Sequence, residues 1–117
     1  MTAHDERFFF AGNSVRVGSR KWSVDYPVRD ARLVGDNLVV LYDYAAGPRH
    51  RQFQNVQAFD RFGGVLWTAE HPTAEAVDAY IEFVDGSPLI LWNFACYRCT
   101  LDPRTGKLLR AQFIQSN

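Results

Sequence analysis

Two stretches of this 117-residue chain repeat one another, and the length of the repeat constrains the fold more than any other feature. Gly35–Tyr44 (GDNLVVLYDY) matches Asp85–Phe94 (DGSPLILWNF) at an offset of fifty. Asp60–Trp67 (DRFGGVLW) matches Asp102–Leu109 (DPRTGKLL) at an offset of forty-two. A unit of that length is one supersecondary motif, too small to bury its own apolar face, so neighbouring copies must stack. A fainter third copy, Gly18–Trp22, places Trp22 forty-five residues before Trp67.

The rest of the chain reads as strands and turns. Phe8–Phe10 and Ser14–Val17 flank the turn-forming Ala11-Gly12-Asn13 as a hairpin. Further strands are expected over 29–34, 38–44, 53–60, 65–69, 80–84, 88–94, 97–102 and 107–113. The unbroken apolar run Leu38–Tyr42 marks a strand covered on both faces. Between 73 and 84 two periods compete: Val77, Tyr80, Ile81 and Val84 have helical spacing, while the repeat requires a strand over 80–84. The repeat predicts the strand, with at most one helical turn near 73–78. The expected fold is all-β, an antiparallel meander of two four-stranded repeats plus an N-terminal hairpin, in a single domain over 1–117. One register stays open. A turn longer by one residue at Pro103-Arg104-Thr105 aligns Trp67 with Arg110 in place of Leu109, and reverses the face that the last strand buries.

The copies part after Tyr44. Ala45–Gln52 has no counterpart after Phe94, and these eight residues are the difference between the two offsets. Unpaired backbone stays at the surface, so the insertion is a protruding loop tipped by Arg49, His50 and Arg51.

Hydrophobic residues at 47% and aromatics at 15% are enough for a packed core. Thirteen Lys and Arg balance thirteen Asp and Glu, which leaves no basic excess for nucleic acid or for an anionic membrane surface. The polar start MTAHDER leads into only three phenylalanines, too short a run for a signal peptide, and nothing approaches a spanning helix of about twenty apolar residues. With two cysteines and no export signal, the expected compartment is the reducing cytoplasm.

Ala58–Trp67 and Thr100–Leu109 resemble the repeat of quinoprotein-like β-propellers: a strand ending in Asp, a turn containing Thr-Gly or Gly-Asn, and a strand carrying Trp. The resemblance implies propeller-like blades, about two and a half of them over residues 14–113. It assigns Asp60 and Asp102 to accept hydrogen bonds from turn amides, and Gly64 and Gly106 to take positive φ. Because quinone binding in that family needs a closed ring of blades, no cofactor is expected here. The chain also resembles small bacterial proteins with the same aspartate turn and Thr-Gly-Lys-Leu ending, some of them immunity-protein-like.

Candidate chemistry is sparse. Cys96-Tyr97-Arg98-Cys99 has metal-knuckle spacing, but four ligands are needed for zinc and no second pair exists; along a strand the two thiols diverge, so both are expected to be structural. His4, His50 and His71 lie beside no obvious nucleophile in sequence. Asp43 and Asn93 fall at equivalent sites within apolar strands and require hydrogen-bond partners. Arg16, Arg20, Lys21 and the Arg49-His50-Arg51 loop are available to grip acids.

The leading expectation is therefore a non-catalytic protein-binding module, an inhibitor or immunity protein for a toxin. Arg49, His50, Arg51, Tyr44 and Phe62 are the partner-binding candidates, since aromatic and Arg side chains anchor interfaces. The alternatives are identical chains associating into a propeller-like, ligand-holding ring, and a hydrolase using His71 with Asp78 or Glu75.

Overall fold

A computed structural model of the chain describes residues 7–85 and 89–114. Their regular elements are eleven strands and one short 3-10 turn. The strands are β1 (Phe8–Ala11), β2 (Ser14–Val17), β3 (Arg20–Ser23), β4 (Val28–Val34), β5 (Asn37–Tyr42), β6 (Val56–Phe59), β7 (Val65–Thr68), β8 (Tyr80–Val84), β9 (Ile90–Asn93), β10 (Tyr97–Leu101) and β11 (Leu108–Phe113). They form three antiparallel meanders: β1-β2-β3 (sheet 1), β4 to β7 (sheet 2) and β8 to β11 (sheet 3). The all-β expectation holds, and residues 73–79 form turns that lead directly into β8. The turn Gly86–Pro88 of the second copy and His4 lie outside the described residues.

The N-terminal unit is larger than a hairpin. Gly18 takes φ +58 and, with Ser19, turns the chain so that Arg20–Ser23 pairs along β2 as a third strand. Strand β6 also starts later than expected, at Val56; the buried Phe53 and Asn55 side chains precede it, although the Asn55 carbonyl still accepts from the Tyr42 N–H of β5.

Sheet 2 is the middle layer. Leu38, Val40, Tyr42 and Phe59 on one face pack with Phe8, Phe10 and Val15 of sheet 1. Val39, Leu41, Val56, Ala58 and Trp67 on the other face pack with Leu89, Leu91, Cys99 and Leu101 of sheet 3. Burying an aliphatic or aromatic side chain contributes about 1.5–3 kcal/mol, and β5 buries every residue from Leu38 to Tyr42. This is why the run Leu38–Tyr42 does not alternate.

The registers correct the repeat offsets. Val40 sits between Ala31 and Gln57, as Leu91 sits between Phe83 and Cys99, so the structural offset is 52 in the first strand of each sheet, 51 in the second and 42 in the third. Trp67 opposes Ala58 and Arg110 opposes Thr100, which makes Arg110 the counterpart of Trp67. The longer turn at Pro103–Thr105 is the one adopted. Asn93 is then the counterpart of Tyr42, and Asp43 falls beyond the strand.

Each sheet is sealed to the next by a tryptophan over a glycine. Trp22 lies against Gly63 (φ +90) and 5.9 Å from the Phe59 ring. Trp67 lies against Gly106 (φ +73), where a Cβ would come within 2.4 Å of the indole, and its Nε1 donates to the Pro103 carbonyl at 2.9 Å. The positive φ of the first turn thus belongs to Gly63, not Gly64; Gly64 instead donates its N–H to Asp60. Between sheets 2 and 3, Arg29 and Arg32 of β4 donate to the Ile81 and Val84 carbonyls of β8 at 2.9 and 2.8 Å. Asn55 is fully buried and donates to the Tyr42 and Tyr80 carbonyls while accepting from the Tyr80 N–H.

Sheet 3 is the last of the described sheets. Its outer face carries the rows Glu82-Trp92-Arg98-Gln112 and Val84-Ile90-Thr100-Arg110. Where sheet 2 presents Val56, Ala58 and Trp67, this face presents Arg98, Thr100 and Arg110. The outer face of sheet 1 carries Phe9, Arg16 and Lys21 in one row. Polar residues on these outer faces let them meet water.

Candidate functional site

The largest departure from the repeat, the β5–β6 insertion, builds one end of the molecule. Asp43 ends β5: its N–H donates to the Pro27 carbonyl, and its carboxylate accepts from the Ala45 N–H at 2.9 Å, capping the 3-10 turn Tyr44–Ala46. Gly47 follows because the Phe53 ring occupies the space a Cβ would need, 2.0 Å away. Phe53 in turn rests on Tyr26, ring centroids 4.6 Å apart. Gln52 ties the insertion to the loop before β8 by donating to the Thr73 and Glu75 carbonyls at 2.8 and 3.0 Å.

Between these two loops lies a cleft of about 420 Å³ whose walls include Tyr44, Pro48, Phe53, Val77 and Phe94, with Arg49 and Asp78 as its charged members. Tyr44 and Phe94 meet edge to face at 4.6 Å and both are exposed; Val77 is 79% exposed. Asp78 is buried beneath them, accepting from Thr73 Oγ1 at 2.8 Å and Asn93 Nδ2 at 2.9 Å. Asn93 Oδ1 accepts from the Tyr97 N–H, so the polar floor is closed on itself.

Of the residues singled out from sequence, Tyr44 and Arg49 line this cleft; His50 and Arg51 continue the same exposed loop. Phe62 is elsewhere. It sits on the β6–β7 turn at the opposite end of sheet 2, under the guanidinium groups of Arg20 and Arg61 at 5.5 and 5.1 Å. Consecutive connections of a meander alternate ends, so the topology itself separates Tyr44 from Phe62. Val77 and Phe94 were missed: exposed apolar residues beside turns were the available signal, but only the fold sets them beside Tyr44.

The turn aspartates are occupied. Asp60 Oδ1 accepts from the Phe62 and Gly64 N–H groups at 2.9 Å, and those bonds, Gly64 first, hold its carboxyl below the usual range. Asp102 Oδ1 accepts from the Arg104 N–H at 2.9 Å.

His71 lies on the Tyr80 ring at 4.7 Å, with both ring nitrogens buried and neither making a hydrogen bond. Burial lowers its pKa below the ordinary value, and the negative charge of Asp78 offsets part of that. Its proposed carboxylate partner Asp78 is already bonded to Thr73 and Asn93. Cys99 is in the core, its thiol pushed up to about 11 chiefly by burial, whereas Cys96 is exposed and so not a buried structural thiol. Among the described residues, no group of three or more His, Cys, Asp or Glu is placed to hold a metal ion, and no helix is long and apolar enough to cross a membrane.

Three stacked antiparallel meanders with an apolar cleft at one loop end define the class of this protein. The chain belongs to the family described as a domain of unknown function, DUF7957, whose model matches residues 6–113. No curated protein is detectably similar to it in sequence. Among solved structures it is similar to the computationally designed Ika8 protein, with a TM-score of 0.62 at 15% identity. That match covers 99% of this chain but only 37% of the designed one, and at such identity it speaks to the fold alone.

Proposed function

We propose that the protein is a non-catalytic protein-binding module, an inhibitor of the immunity-protein kind that neutralises a bacterial toxin in the cytoplasm. The observation that supports this is the exposed cluster of Tyr44, Phe94 and Val77 around a cleft, with the exposed Arg49 on its rim. Aromatic side chains and Arg are the usual anchors of interfaces, and apolar residues clustered in a cleft mark contact sites where scattered ones do not. The three sheets, read as consecutive propeller-like blades, serve as the rigid support that holds two loops at a fixed spacing.

Affinity capture from the native host at moderate and high salt, followed by co-expression of the captured protein, tests this. One stoichiometric partner that survives both washes, and whose toxicity the chain suppresses, is the expected result. Recovery of the bait alone removes the reading.

A ring completed by identical chains is the second reading, favoured by the short span of this chain on the designed protein. Charge counts against it. Head-to-tail closure places Arg98 and Arg110 of one copy against Arg16 and Lys21 of the next, with Glu82 as the one carboxylate in those rows.

A further inference from the structure

Beyond the existence of a partner, the cleft specifies its chemistry. Its walls are apolar and aromatic, so the group that enters it is apolar. The cation on its wall is unspent. Arg49 is exposed, and among the described residues it makes no ion pair or hydrogen bond. Other arginines are committed within the fold: Arg16, Arg29 and Arg32 donate to backbone carbonyls, and Arg20 and Arg61 lie over Phe62. The cleft's own carboxylate, Asp78, is buried and bonded to Thr73 and Asn93, so it does not neutralise Arg49. An apolar opening with the free guanidinium of Arg49 on its lip is complementary to a chain segment that sets an apolar anchor beside a carboxylate.

We propose that the cleft at the β5–β6 end receives one apolar side chain from an acidic segment of a partner protein, a carboxylate of which pairs with Arg49. This rests on the protein-binding reading above. Gln52 fastens the insertion to the Thr73 and Glu75 carbonyls and so limits how far the two lips can part.

The test is selection of a random twelve-residue peptide library displayed on phage against the full chain, with titration of the selected peptides. The expected consensus is an aromatic or aliphatic residue next to Asp or Glu. Val77→Arg, at an exposed position that leaves the fold untouched, should weaken those peptides about tenfold. Arg49→Glu should weaken them about fivefold or more at low salt, and by less at high salt, since the pair is at a screened rim. A basic or uncharged consensus, binding insensitive to Val77→Arg, or a selection that yields no peptide overturns the proposal. A native partner captured by the full chain and indifferent to both substitutions would leave the protein-binding reading standing and remove this cleft as its site.

Discussion

At the scale of single residues, burial separates two cysteines that the sequence sets three apart. Cys99 lies in β10 and enters the core, while Cys96, at φ +67, sits in the turn between β9 and β10 and stays outside, so the turn and not strand alternation separates them. A thiol held up to about 11 is not a nucleophile near neutrality. Native protein should therefore titrate one thiol with a disulfide reagent, lost in Cys96→Ser, and a second only after unfolding. Two fast thiols would contradict the burial of Cys99. His71 makes a complementary prediction. Its folded pKa lies below the unfolded value of about 6.5, so the fold binds a proton less well than the unfolded chain. The stability tied to neutral His71 is complete above about pH 6.5 and is lost as pH falls from there through the lowered folded pKa. Denaturant melts at stepped pH should show this loss in the wild type and not in His71→Phe; matching slopes in both would dismiss it.

At the scale of elements, the aspartate turn, glycine and tryptophan act together. The Asp60 and Asp102 carboxylates organise the β6–β7 and β10–β11 turns, and the glycine in each leaves room for the indole of the preceding sheet. Gly106→Ala adds a left-handed strain of about 1 kcal/mol and drives a methyl into Trp67 at 2.4 Å. Gly12→Ala adds only the strain, since nothing lies within 4 Å of its Cβ. The first substitution should destabilise the protein by at least about 2 kcal/mol more than the second in equilibrium urea melts. Equal effects would mean the indole moves aside freely. Asn55→Ala strips partners from the Tyr80 N–H and carbonyl and from the Tyr42 carbonyl. An expected cost of about 3 kcal/mol should lower the thermal midpoint by about 10 °C or more, read by circular dichroism.

At the scale of the whole molecule, the ends matter more than the middle. Sheets 1 and 3 each bury one face, and the other is polar enough to meet water: Arg16 and Lys21 at one end, Arg98, Thr100 and Arg110 at the other. Trp92, Ile90 and Val84 keep part of the last face apolar, but like charges oppose its docking on sheet 1 of another copy. Sedimentation should give a single 13.4 kDa species from micromolar to near-millimolar concentration. A closed oligomer at low salt would reverse this account of the ends.

Strands, turns and stacking were legible from sequence because each depends on local chemistry. The alternation of apolar residues, the Asp–Gly turns and the unbroken run Leu38–Tyr42 act over a few residues, and the structure places eleven strands accordingly. The third strand of sheet 1 was also within reach, since Gly18-Ser19 is a two-residue hairpin turn. Register was not. Matching residue types aligns Trp67 with Leu109, whereas side-chain direction reverses with every residue, and only the pairing of Thr100 with Arg110 chooses the face. The candidate site was half legible: the insertion announces itself as a break in the repeat, and Arg49 and Tyr44 come with it. Tertiary structure alone brings Val77 and Phe94 to Tyr44, sends Phe62 to the far end, and buries Asn55 and Asp78 as connectors between sheets and loops. Those choices depend on which surfaces touch across tens of residues, and no local propensity carries that information.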